Sequence, residues 1–395
     1  MFAFGKAAQP MASAAVATLL KSLKSIVGGV IVSPEGGAPP YPTLITLRGD
    51  HPVPGRNSFA AAAKIGEVTS GRRGNDVAIV LLSGGTSSLI GAPLRGMNES
   101  DFIDLYQMLL GSGLDIAAMN AVRKRFSRWA AGRLALALAP AATYCLAISD
   151  VPNDDLSVIG SGPCVPDTTT VKDVTSILQR ANLLSRIPQT YRDYLAGVSR
   201  GTTPETPTVA HPAFAHVTAR VIGNTHVAVE GAAAAARERS LTADVVAARL
   251  TGEAARAGEA IARELLAIRA RGAHDHCSIW GGETTVTLAE SAVQSSAGGR
   301  CQELALAAAR VLHEAGAAAN GINLLAAGTD GRDGPTDAAG AIIDATTWSD
   351  IEKAGRDPAQ ALSSHESFAA LQVANALIPR RETGTNVNDV VIGMV

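Results

Sequence analysis

Aromatic side chains make up only 4% of this 395-residue chain, and cysteine occurs four times, at Cys145, Cys164, Cys277 and Cys301. So few rings exclude an interior of bulky aromatics and favour close packing through the abundant Ala and Gly. The cysteines show no paired metal-ligand spacing and are too sparse for a disulfide scaffold, which fits a reducing cytoplasm. No apolar run reaches the roughly 18 residues of a membrane span. Stretches such as Val77 to Leu82 and Ile322 to Ala327 are strand-length. Charge of one sign is missing too: 34 Lys and Arg against 36 Asp and Glu leave a formal charge of −2. Such a balance supplies no long-range field for nucleic acid or an acidic membrane surface. No basic region followed by an apolar run and a cleavage site opens the chain, so no secretory signal is expected.

What is present is an alternation of short apolar runs with Ala-rich helical patterns. Val27 to Val32, Leu44 to Leu47, Val77 to Leu82 and Tyr144 to Ser149 read as strands. Ala7 to Leu23, Ser58 to Thr69, Glu99 to Leu110 and Ile116 to Ala139 read as helices. This order predicts an α/β fold with a Rossmann-like, largely parallel sheet covered on both faces. Gly, Pro and Thr crowd together between Gly197 and Pro212, which puts a domain boundary or an exposed connection there, with the first domain expected over 1–215. Beyond it, strands at Val217 to Ile222, Val245 to Leu250, Cys277 to Trp280, Thr284 to Leu288 and Ile322 to Ala327 are expected. Helices over Thr225 to Arg239, Glu253 to Arg271 and Gln302 to Glu314 complete a smaller mixed domain, 216–395. A chain this long exceeds what one core usually serves, and no internal repeat or coiled-coil heptad is visible.

Candidate chemistry lies where strands end. Lys6 follows a short strand and a glycine and opens a helix, a place where a cation and helix N–H groups can converge on phosphate; a solvated lysine at a helix start is the commoner meaning of such a position. Ser83, Gly84, Gly85, Thr86 and Ser87 follow the strongest strand, and such a turn can wrap an oxyanion or simply cap a helix. Asp150 follows another strand, with Ser161 and Gly162 in a second small-polar turn; a carboxylate there suits Mg²⁺ or an ordinary acidic turn. The C-terminal third carries three glycine-bracketed polar runs, with Glu283 in Gly281 to Thr285, Arg300 in Gly298 to Glu303 and Asp330 in Gly328 to Gly334. A guanidinium at Arg300 can grip a carboxylate or phosphate with two parallel bonds. Asn386 and Asn388 close the chain in a turn-forming Thr-Gly-Thr-Asn-Val-Asn string. Arg123, Lys124, Arg125 and Arg128 form a basic helix segment that reads as a solvated face.

Taken together, GGETTVTL, GGRCQELALA, AAGTDGRDGPTDAAGAIID and TGTNVNDVVI resemble the glycerate 2-kinase family and its C-terminal MOFRL domain, about 278–392. The resemblance extends upstream through Phe4-Gly5-Lys6-Ala7-Ala8, Gly49 to Pro54, LLSGGTSSL, MNAVRKRFS and ISDVPNDDLSVIGSGPCVPDTTT, in the family's order. It implies ATP-dependent phosphorylation of D-glycerate to 2-phosphoglycerate, with Mg²⁺, Lys6 and Arg300 as the catalytic cations and an active site in the cleft between two domains. Phosphate on the 2-hydroxyl requires the glycerate carboxylate to be clamped, by a cation and N–H groups near the Ser83 turn. Thr86, Ser88 and Cys301 depart from the family pattern, and Ala130 stands where it has a lysine. Family members carry a helical segment before the strand at Phe2 to Phe4, so either the start lies upstream of Met1 or an edge helix has been lost.

Two other readings compete. The family has also been called hydroxypyruvate reductase, but a dinucleotide fold needs G-x-G-x-x-G between its first strand and helix, which this chain lacks. A sugar-acid sensor on a degenerate kinase scaffold is the third. No Walker A, HRD or DFG string is present. Expected partners are ATP and D-glycerate or a related 2-hydroxy acid, with no nucleic acid and no membrane. A homodimer and a monomer are both open.

Overall fold

The structure, a computed structural model, describes residues 1–22, 24–71, 75–288 and 297–395. It falls into two units, Met1–Ile222 and Gly223–Val395.

The first unit is built on strands β1 (Phe2–Phe4), β2 (Gly29–Ser33), β3 (Leu44–Arg48), β4 (Val77–Leu82), β5 (Ala142–Ile148) and β6 (Val217–Gly223). They lie in the order β3-β2-β1-β4-β5-β6. The pairs β1–β2, β2–β3, β1–β4 and β4–β5 are all parallel. Helices α1 (Ala8–Lys21), α2 (Arg56–Ser70), α3 (Thr86–Leu89), α4 (Glu99–Leu110), α5 (Ile116–Phe126), α6 (Arg133–Leu138), α7 (Val171–Arg180) and α8 (Gln189–Ser199) complete it. Residue alternation explains why helices cover both faces. Phe2, Phe4, Val30, Val32, Val80 and Leu82 join one core with Ile65 of α2 and Leu105 of α4. The intervening Ala3, Ile31 and Leu81 join another with Met11 and Val16 of α1. A strand buried on both faces reads as a continuous apolar run, as β4 does.

The chain proceeds outward from β1 through β2 to β3, then returns to β4 and proceeds the other way. The order therefore reverses between β1 and β4, and in open α/β sheets ligands gather at such a point beyond the carboxyl ends of the strands.

The second unit holds β7 (Thr242–Val245), β8 (His276–Gly282), β9 (Asn323–Gly328), β10 (Ala338–Asp344), β11 (Leu377–Pro379) and β12 (Asp389–Met394), ordered β11-β10-β9-β12-β8-β7. Only β7–β8 is parallel; β8–β12, β12–β9, β9–β10 and β10–β11 are antiparallel. Helices α9 (Thr225–Arg237), α10 (Ala254–Ala270), α11 (Arg300–Ala315), α12 (Thr347–Lys353), α13 (Pro358–Ser363) and α14 (Ser367–Val373) surround this mixed sheet. The main core joins Trp280, Leu324, Ala326, Ala341 and Val391 to α10 and α11. Val229 and Ala233 of α9 cover Cys277 and Ile279.

Several expectations change. Val217 to Ile222 begins no second domain: as β6 it lies beside β5, so the units divide after Ile222 rather than near residue 215. The helix expected over Ile116 to Ala139 ends at Phe126, because Ser127 turns extended and bridges Pro93, with the Arg128 N–H donating to the Ala92 carbonyl. Ala131 (φ 52°) and Gly132 (φ 76°) are left-handed and donate their N–H groups to the carbonyls of Ser161 and Gly162 before α6 starts at Arg133. Thr284 to Leu288 forms no strand, only a bridge from Thr285 to Glu253. The neighbour β12 starts at Asp389, opposite Gly282, and leaves nothing to continue the ladder. The strand expected over Val245 to Leu250 ends at Val245, its pairing set by His276–Ile279. Leu23, the expected end of α1, lies outside the described residues.

Helices α10 and α11 approach so closely that a Cβ on Gly258 would stand 2.0 Å from the Leu304 carbonyl oxygen, a backbone atom that cannot swing aside. Gly258→Ala is therefore expected to destabilise by about 1–3 kcal/mol or more. Gly231→Ala, in the exposed middle of α9 with nothing near a new Cβ, should stabilise by roughly 0.5–1 kcal/mol. Urea midpoints of both variants test this; a loss at Gly231 equal to that at Gly258 would contradict the packing argument.

Candidate active site

At the switch point of the first unit, the turns after β1 and β4 are joined by hydrogen bonds. The Ser83 N–H donates to the Phe4 carbonyl (3.0 Å) and the Lys6 N–H to the Gly84 carbonyl (2.9 Å). Ser83 Oγ accepts from the Ala7 N–H (3.0 Å) and donates to the Phe4 carbonyl (3.3 Å). Thr86 Oγ1 reaches the carbonyls of Phe4 (2.9 Å) and Ser83 (2.8 Å). The hydroxyls of Ser83 and Thr86 are thus buried and committed to holding the turns together, and the first helix N–H groups near Lys6 are already taken up. The Lys6 side chain itself is exposed.

Asp150, just beyond β5, presses against this junction: a Cβ on Gly84 would fall 2.3 Å from its Oδ2, so a larger residue there would have to displace the carboxylate. Ser87 and Ser161 meet through their hydroxyls at 2.7 Å. Ser161 and Gly162 are both left-handed, φ 64° and 60°. The structure thus brings Lys6, Ser83 to Ser87, Asp150, Ser161 and Gly162 into one neighbourhood.

The basic segment differs most from expectation. Arg123, Lys124 and Arg125 are buried, with 7%, 5% and 0% exposure, instead of forming a solvated face. Consecutive helix positions step about 100° round the axis, so three in a row cannot share one face; that signal was present in the sequence. Lys124 pairs with Asp167 at 2.8 Å, and Arg125 with Glu205 and, at 4.0 Å, Asp167. Burial alone would raise Asp167, but its bonds to Lys124 and Thr169 outweigh that and hold it below its ordinary value.

In the second unit, Arg300 opens α11. A cation at a helix N-terminus opposes the macrodipole, and carboxylates compensate. Arg300 Nε and Nη2 donate to Asp389 Oδ2 (2.5 Å) and Oδ1 (3.0 Å), and Nη1 donates to Glu283 Oε1 (2.5 Å). Burial opposes the arginine's charge, yet these carboxylates outweigh it and push the guanidinium above its ordinary value. Three of its five N–H donors are engaged, so its orientation is fixed while two remain. Asp333 caps α11, accepting from the Cys301 (3.1 Å) and Gln302 (2.8 Å) N–H groups. A cavity of about 290 Å³ is lined by Arg300, Glu303, His365, Val286, Leu288 and the Gly298–Gly299 turn. Within it, His365 Nδ1 lies 2.8 Å from Glu303 Oε2.

Asp330 serves its own turn, accepting from the Arg332 N–H at 3.0 Å. Asn386 Oδ1 accepts from the Asn388 N–H (3.1 Å), and the Asn388 carbonyl accepts from the N–H (3.0 Å) and Oγ1 (2.7 Å) of Thr329. These residues hold the loops from which β12 carries Asp389 to Arg300. Asp333, Asp389 and the burial of Arg123 escaped the sequence reading, although all three residues lie in strings it singled out. No described residues group three or more His, Cys, Asp or Glu side chains as a metal site. No helix among them is long and apolar enough to cross a membrane.

A model described as a domain of unknown function (DUF4147) matches residues 1–196, and the MOFRL family model matches 276–389. The chain is 36% identical to the D-glycerate 2-kinase of Thermotoga maritima over 100% of its own length and 90% of that protein's. It belongs to the glycerate 2-kinase family. A crystal structure of Thermotoga maritima glycerate kinase matches with a TM-score of 0.88 at 36% identity, covering 100% of this chain and 90% of that one. An Agrobacterium vitis relative, 37% identical over 92% of this chain and 80% of its own, carries the provisional name hydroxypyruvate reductase. Within the glycerate 2-kinase family, that name finds no support in the β1–α1 turn, Phe4-Gly5-Lys6-Ala7-Ala8, which lacks the dinucleotide fingerprint.

Burial raises Asp389 to about 6 despite the opposing bonds from Arg300. An unfolded aspartate titrates near 3.9, so the folded state holds this proton more tightly. The resulting stability is complete below about pH 4 and is lost as pH rises through about 6. Asp389→Asn removes the titration. The stability of the wild type relative to this variant should therefore fall by ~2 kcal/mol between pH 4 and 7. Urea midpoints across that range check it; a relative stability that rises with pH would reverse the assignment.

Proposed function

We propose that this protein transfers the γ-phosphoryl group of ATP to the 2-hydroxyl of D-glycerate, giving 2-phosphoglycerate and ADP. The observation that carries this reading is the whole-chain match to a D-glycerate 2-kinase, in a chain with an exposed lysine at its topological switch point. Phosphoryl transfer asks a protein for positioning and positive charge more than for covalent chemistry. Lys6 is the cation of the first unit for phosphoryl oxygens. Arg300, oriented by Asp389 and Glu283, offers its two remaining N–H donors as the second.

Mg²⁺ typically takes one or two protein carboxylates, with phosphates and waters completing its shell. A single strand-end carboxylate, Asp150 against the Gly84 turn, fits a phosphate-borne ion of this kind rather than an all-protein cage. Such an ion would neutralise charge on the phosphate oxygens. Gly84 and Gly85 let a ligand approach the backbone of the β4 turn closely, with Ser87, Ser161 and Gly162 beside it. Glu283, Asp330, Asn386 and Asn388 act in the second unit mainly by holding Arg300 and its supporting loops.

A coupled assay with ATP and D-glycerate should show turnover, where NADH with hydroxypyruvate shows none. Reversed results would favour the reductase, and no turnover in either assay would favour a sensor. Phosphorus NMR should identify 2-phosphoglycerate, formed only with a divalent metal; 3-phosphoglycerate as the main product would refute the orientation.

Lys6→Ala and Arg300→Ala should each lower kcat on the order of 10²- to 10³-fold while the variants retain the wild-type circular dichroism spectrum. Arg300→Lys should also be poor, since a point ammonium cannot reproduce the fork held by Asp389. Near-wild-type kcat in a folded variant would remove that residue from the mechanism.

A further inference from the structure

Of the three consecutive buried cations on α5, two are matched by acids, and Arg123 is not. Its Nε and Nη2 have no hydrogen-bond partner and are shielded from solvent, and no described carboxylate pairs with it. An isolated buried charge carries a large desolvation cost, so a buried guanidinium calls for an anion. The two unsatisfied nitrogens form one edge of the guanidinium. Arg300 uses that same edge to hold both oxygens of Asp389, so the protein itself displays what the edge of Arg123 is shaped to receive.

The position of Arg123 is equally specific. Its guanidinium carbon lies 4.7 Å from the centroid of the Tyr106 ring, and the Tyr106 hydroxyl donates to the Ser87 carbonyl at 3.3 Å. Stacking on a ring tied to Ser87 fixes the charged head beside the β4 turn, in the neighbourhood of Lys6 and Asp150. His51, whose ring would stand 3.3 Å from a Cβ on Gly85, reports the same cluster. Desolvation first, then the positive charges of Lys6 and Arg123, hold it below its ordinary value.

We propose that Arg123 is the substrate-binding residue that grips the carboxylate of the hydroxy acid through its Nε and Nη2 edge. This deepens the kinase reading and rests on it for the identity of the acid. Shielding from bulk water makes the attraction stronger there, and the side chains over that edge must give way as the carboxylate enters. A carboxylate held in this way fixes the neighbouring 2-hydroxyl, while the 3-hydroxyl, one carbon farther, stays free to turn.

The test uses Arg123→Gln and, because an uncompensated change in the interior can prevent folding, Arg123→Lys, which keeps the charge. Each is compared with wild type in KM and kcat for D-glycerate and for ATP, and in the binding of D-glycerate and its neutral amide by calorimetry. The expected result is at least a tenfold rise in KM and Kd for D-glycerate, with KM for ATP changed less than twofold. Wild type should prefer the acid to the amide, and the variants should lose that preference. A rise in KM confined to ATP would assign Arg123 to a phosphate and overturn the proposal. So would a folded variant that keeps wild-type affinity for D-glycerate and the same preference over the amide. If wild type binds D-glycerate through Arg123 but shows no ATP turnover, the kinase reading fails while the carboxylate site stands. If wild type turns over and the variants keep its KM for D-glycerate, the reverse holds.

Discussion

The side-by-side pairing of β1 with β4 is the constraint on which the first unit depends. These strands follow each other in space but not in sequence, and their pairing delivers two short turns to the same edge of the sheet. Ser83 and Thr86 then spend their hydroxyls on the Phe4 carbonyl and the Ala7 N–H. The polar residues nearest the switch point are therefore framework. By satisfying the backbone of both turns internally, they leave the Lys6 ammonium to reach outward from a rigid base.

Buried charge is the second theme, and the two units handle it alike. On α5, Lys124 and Arg125 enter the interior with Asp167 and Glu205 to meet them. On α11, Arg300 faces an unfavourable helix terminus and is held by Asp389 and Glu283, while Asp333 satisfies the helix N–H groups. In each case removing one partner would leave the other as an uncompensated charge. The arrangement fixes where a guanidinium points, which is what recognition of a planar oxyanion demands. Arg123 stands out against this pattern because its partner is not part of the described chain.

The strand order of the first sheet is that of dinucleotide-binding folds, yet its first turn carries a lysine where those folds carry glycines. Fold alone does not give function. The difference lies in a few residues after β1, where the glycines that let a backbone approach pyrophosphate are absent and an exposed lysine stands instead.

The sequence by itself determined that the chain is α/β, that its first sheet is largely parallel, and which family it belongs to. Period-two burial, Ala-rich helices and glycine-bracketed strings are local signals, so β4, α4 and α10 are legible within a residue or two. The placement of Lys6 and Asp150 beyond strand ends, and of Arg300 at a helix start, is legible for the same local reason. Only the tertiary structure decided that β6 belongs to the first sheet, that the helix after Ile116 ends at Ser127, and that Thr284 to Leu288 has no partner strand. Those outcomes turn on residues far away in the chain, which local propensity does not register. The same reason explains the site: that Ser83 is framework, that Asp389 orients Arg300, and that Arg123 is buried without an acid all depend on which distant groups the fold brings within three ångströms.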